Sequence, residues 1–81
     1  METNMYDTTI SQVLVFKTDI SSENEVERAA HILGLEKNIL RWNIDREDID
    51  NVLRIECDRL HPISIIRRLS DAGFKCEELP D

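Results

Sequence analysis

Apolar residues recur along this chain with two different periods. From Ile10 to Lys17 the run Val13-Leu14-Val15-Phe16 shows no alternation, and β-branched and aromatic residues in an unbroken run predict a strand with a neighbour on each side. At Ser22 the spacing becomes helical. Ser22-Glu23-Asn24-Glu25 fits a capping box, in which the serine oxygen accepts the N3 amide and the glutamate accepts the serine amide. Val26, Ala29, Ala30 and Leu33 then fall at i, i+3, i+4 and i+7, one apolar stripe, and Gly34 is expected in the left-handed position that ends a helix. The first helix is thus placed at about 22–33.

Leu40, Trp42 and Ile44 alternate with Arg41 and Asn43, and Leu53, Ile55 and Cys57 alternate with Arg54 and Glu56. Period two marks half-buried strands with one wet face. Asp45 to Asn51, crowded with acidic and turn-forming residues, reads as a hairpin connection longer than a two-residue turn. Pro62 suits a first helical position, Ile65, Ile66 and Leu69 supply an apolar face, and Gly73 is a second terminating glycine, so a second helix is placed at about 62–72. Phe74 to Leu79 predicts a last short strand that Pro80 ends. The order is β-α-β-β-α-β. Such an α+β chain is expected to take the ferredoxin-like arrangement, a four-stranded antiparallel sheet with two helices on one face.

Residues 1–9 show no periodicity and are expected to form a flexible N-terminal tail before a single domain over 10–81. At 81 residues only one small core fits. Seventeen acidic against ten basic side chains leave a formal charge of −7, which repels phosphate backbones and anionic headgroups, so neither nucleic acid nor a membrane is expected as a partner. Glu2 and Asp7 stand where a basic leader would be, and the longest apolar run is too short for a signal or a span; a cytoplasmic location is the expectation. Cys57 and Cys76 are too few for a disulfide framework.

Three segments together resemble the bacterial stand-alone heavy-metal-associated domains, the copper-chaperone-like family: Phe16-Lys17-Thr18-Asp19-Ile20, Arg41-Trp42-Asn43-Ile44-Asp45, and Asp71-Ala72-Gly73-Phe74-Lys75-Cys76-Glu77-Glu78-Leu79. The resemblance covers about residues 12–79. It implies a Cys-x-x-Cys pair after the first strand, where two thiolates at a helix N-terminus bind Cu(I) or Zn(II). In this chain those positions fall on Ser22 and Glu25. A hydroxyl and one carboxylate are poor ligands for a soft ion, so no metal cofactor is expected; the alternative is weak Cu or Zn binding through substitute ligands, with Asp19 and Cys76 as candidates. In the usual strand order Cys57 and Cys76 are separated by two strand spacings, about 9 to 10 Å at ~4.8 Å each, too far for a disulfide. Both are read as small buried hydrophobes.

Asp45, Glu47, Asp48 and Asp50 lack the glycine and terminal glutamate of a calcium loop and read as a solvated hairpin. His31 and His61 have no second ligand at metal spacing and are assigned surface or capping roles. No nucleophile–base pair or glycine-rich phosphate loop is present, so no enzyme is expected. The sheet face away from the helices carries Lys17, Arg41, Arg54 and Glu56, together with either Val13 and Val15 or Leu14 and Phe16. A mixed apolar and charged face can receive a protein partner or a second copy. The expectation is a non-catalytic interaction or regulatory module.

Overall fold

The computed structural model describes residues 12–80. The tail expected over 1–9, and the start expected at Ile10, lie outside the described residues. The elements run β1 (Gln12–Thr18), α1 (Glu23–Leu33), β2 (Ile39–Asp45), β3 (Val52–Cys57), α2 (Pro62–Asp71) and β4 (Cys76–Glu78). Every neighbouring strand pair is antiparallel, in the order β2-β3-β1-β4. The ferredoxin-like βαββαβ fold is therefore the observed one.

Strand pairing decides which apolar residues of β1 face inward. Leu14 lies opposite Ile55 and Phe16 opposite Leu53, whereas Val13 and Val15 lie opposite Glu56 and Arg54. Leu14, Phe16, Leu53, Ile55 and Cys57 are buried in one core with Ala29 and Leu33 of α1 and Ile65 and Leu69 of α2. Val13 and Val15 thus belong to the open face. Among the described residues no helix is long and apolar enough to cross a membrane.

Four local expectations change. Gly34 caps α1 with φ −65° and ψ −13°, a right-handed conformation, because the chain continues into turns in which Leu35 and Glu36 amides donate to Ile32 and Leu33 carbonyls. Ala30 is exposed, so Ala29, Leu33 and half-buried Val26 carry the apolar stripe. In β2 the register shifts between Ile39 and Arg41: Ile39 pairs with Cys57, Arg41 with Glu56, and Leu40 is left as a bulge, 39% exposed. An extra residue reverses the parity on one side of it, so Ile39 takes the inward place expected of Leu40. The last strand begins at Cys76 rather than Phe74. Gly73, at φ +94°, donates to Ser70 O, and the Phe74 amide donates to Leu69 O; this Schellman closure uses Phe74 as a buried plug beside Leu69.

Candidate functional site

Antiparallel topology carries three connections to one end of the sheet: the β1–α1 loop, the β2–β3 connection and the α2–β4 turn. Hydrogen bonds tie them together. Thr18, at the end of β1 and buried, donates from Oγ1 to Asn51 O at 2.7 Å and accepts from the Ile20 amide at 3.2 Å. Its own amide donates to Asp50 O at 3.0 Å. Arg46 Nη1 donates to Ser21 O at 3.2 Å, and the Lys75 amide donates to Asp19 Oδ1 at 2.9 Å.

Ser22 and Glu25 make the full reciprocal box at the start of α1. The Glu25 amide donates to Ser22 Oγ at 3.1 Å, while Glu25 Oε1 accepts the Ser21 amide at 2.9 Å, the Ser22 amide at 3.0 Å and the Ser21 hydroxyl at 3.1 Å. The Ser21 backbone bond, followed by those from the Ser22 amide and the Ser21 hydroxyl, lowers the Glu25 carboxyl from an ordinary 4.5 to about 2. Both side chains are held by the helix start.

Asp19 and Cys76 come together beside Lys17, Lys75 and Glu77 in a shallow cleft. Burial, with the Asp19 carboxylate adding to it, pushes the Cys76 thiol up to about 12, so it stays protonated at neutral pH. Burial and then Asp58 also raise Cys57. The two thiols are farther apart than the strand order alone implies. Cys57 stands beside Gln12 and Cys76 beside Thr18, at opposite ends of β1, roughly 20 Å apart along the strand at ~3.4 Å per residue. Neither is in a disulfide.

Of the donors at these positions, Ser22 Oγ and Glu25 Oε1 are engaged in the cap, Asp19 Oδ1 accepts the Lys75 amide, and the Cys76 thiol shares the cleft with Asp19. Among the described residues no group of three His, Cys, Asp or Glu side chains is placed to hold an ion. In the acidic connection, Asp45 Oδ1 accepts the Glu47 amide at 3.1 Å and Asp48 Oδ1 the Asp50 amide at 2.9 Å, local turn bonds that spread the carboxylates along the loop. His31 is exposed on α1; His61 occupies the N-cap of α2 without a capping bond from its side chain.

Lys17, Arg41, Arg54 and Glu56 do share the open face with Val13 and Val15. Arg41 Nε lies 2.6 Å from Glu56 Oε1, and Lys17 Nζ lies 3.7 Å from Asp50 Oδ1. The sequence reading missed Thr18, Arg46 and Arg28. Arg28 sits over the Phe74 ring, 4.7 Å from its centroid, and donates to Ala72 O at 2.6 Å, fastening α1 to the α2–β4 turn. No local pattern marks these residues, because their partners are distant in the chain.

No protein-family model and no curated protein sequence matches the chain. Solved structures do. The copper transporter domain Ccc2a of yeast, described in apo and Cu(I)-loaded states, superposes with a TM-score of 0.74 at 19% identity, over 88% of this chain and 99% of that one. The N-terminal domain of ZntA in its Zn(II) form gives 0.70 at 9% identity, over 82% and 89%. The CsoZ metallochaperone gives 0.68 at 19% identity, over 80% and 94%. At these identities the likeness establishes a shared fold: this chain has the ferredoxin-like βαββαβ architecture of the heavy-metal chaperone and transporter domains.

Proposed function

We propose that this chain is a small non-catalytic interaction or regulatory module, built on a heavy-metal-associated fold whose soft-metal site has been replaced. One observation carries the reading: the two positions where the family places its thiolates are Ser22 and Glu25, and both side chains are engaged in closing the start of α1. A segment that keeps its helix-starting role while offering no soft donor retains the scaffold and gives up the ion. What remains for recognition is surface, chiefly the open sheet face with Lys17, Arg41, Arg54 and Glu56 around Val13 and Val15. Its partner is a protein or a second copy, in the cytoplasm, and it needs no cofactor.

The test is native mass spectrometry of the reduced protein with and without equimolar Cu(I) and Zn(II). The expected spectrum shows no specific metal adduct. A stoichiometric adduct would sink this reading in favour of a second one, heavy-metal ion binding through substitute ligands such as Asp19 and Cys76. That alternative is favoured by the Cu(I)-loaded and Zn(II) states of the structural neighbours and by the cleft that brings these two side chains together.

A further inference from the structure

The sheet order leaves two edges among the described residues, and they are unlike. β4 has three residues, Cys76–Glu78, two of them acidic, so two copies placed side by side would bring carboxylates together. Short charged edges resist strand pairing. β2 has seven residues without Pro or Gly, and beyond its bulge Arg41–Asp45 pairs regularly with β3. On its other side the backbone N–H and C=O groups have no strand beside them among the described residues. Leu40, the bulge residue of this strand, is 39% exposed, and Trp42 and Ile44 are only half-buried.

We propose that β2 pairs antiparallel with β2 of a second copy about a two-fold axis through Asn43, joining two sheets into one. The side chains select the register. With Asn43 opposite itself, Arg41 of each copy opposes Asp45 of the other on the open face, and Trp42 opposes Ile44 on the helix side. Opposite charges and aromatic–β-branched pairs are favourable cross-strand combinations, and each occurs twice. An axis at Arg41 or at Asp45 would set a charge against its own copy. Arg41 is able to take a second carboxylate, since its side chain is 73% exposed and its guanidinium has donors beyond the Nε used by Glu56. Asp45 is exposed and commits Oδ1 to the Glu47 amide, leaving its second oxygen for the arginine. An isologous contact of this kind closes on itself as a dimer. The inference names the partner of the interaction module proposed above and rests on that reading.

Sedimentation velocity of the full chain across micromolar to millimolar concentrations tests it, alongside the emission of Trp42, the chain's one tryptophan. A monomer–dimer equilibrium with a parallel blue shift is expected. Arg41→Asp and Asp45→Arg each put like charges at both contact points and should weaken association by roughly tenfold or more. Mixed together, the two variants regain opposite charges at both points, so native mass spectrometry should find the heterodimer in excess over either homodimer. Circular dichroism melts of the separate variants establish that each is folded; because Arg41→Asp also loses the Glu56 pair, Asp45→Arg is the decisive single change. A monomer at every concentration overturns the proposal, as does a dimer indifferent to both substitutions. Concentration-dependent growth beyond the dimer would indicate β2 pairing with β4 and overturns it as well. So does dimerisation that appears only after removal of Met1–Ser11, which would assign the edge to the chain's own N-terminal segment. A monomeric protein leaves the interaction module standing for other partners, whereas a specific metal adduct overturns the module without touching the dimer register.

Discussion

Ser22 and Glu25 perform complementary halves of one local task. The serine oxygen satisfies the Glu25 amide, and the glutamate returns bonds to the Ser21 and Ser22 amides, donors that the first turn of a helix otherwise leaves open. Ser22→Ala should cost about 1 kcal/mol of stability in urea titration and leave the native metal spectrum unchanged, because the residue acts as a cap. The Glu25 carboxyl carries a pH signature. Its folded-state pKa is depressed, so its contribution is fully present above the ordinary 4.5 and is lost as pH falls toward about 2. A carboxyl-carbon NMR titration should therefore place the Glu25 midpoint near about 2; a midpoint near 4.5 would show that the box is open in solution. Both residues and their bonding were legible in the sequence, since a capping box needs only four consecutive residues. Asp19 was legible only as a loose carboxylate, because its partner, the Lys75 amide, belongs to the last turn of the chain.

At the scale of elements, the helix ends separate what local chemistry decides from what packing decides. Gly34 and Gly73 look alike in sequence, each closing an apolar helical stripe, yet Gly73 alone of the two has a positive φ. A Cβ at Gly73 would meet nothing within 4 Å, so the cost of Gly73→Ala is one of backbone conformation alone. It should lower stability by about 1 kcal/mol, read as a reduced urea midpoint at unchanged slope. The two ends differ because the chain leaves them toward different destinations. After α2 it must place Phe74 under Arg28 and beside Leu69, which the Schellman turn achieves; after α1 it runs on through further turns to Ile39. The bulge at Leu40 has the same kind of origin. Alternation over 40–44 marks a strand, but the extra residue that turns Leu40 outward and Ile39 inward is set by pairing with Cys57 and Glu56 on β3.

For the whole molecule, one small core carries the stability. Ile55 is fully buried on central β3, between Leu14 of β1 and Trp42 of β2. Ile55→Ala should cost about 2–5 kcal/mol, a large share of what a domain this small possesses, and an equilibrium urea titration measures it. Element order, the face alternation of β3, the capping box and the absence of a thiolate pair after β1 were determined by the sequence itself, because each depends on residues within a turn or two of one another. Tertiary structure alone decided which side of β1 is buried, how far apart Cys57 and Cys76 stand, that Thr18, Arg46 and Lys75 fasten three connections at one end of the sheet, and that β2 rather than β4 is the long edge. Strand register is a long-range property: a strand with apolar residues of both parities can present either face, and only its partners across the sheet select one.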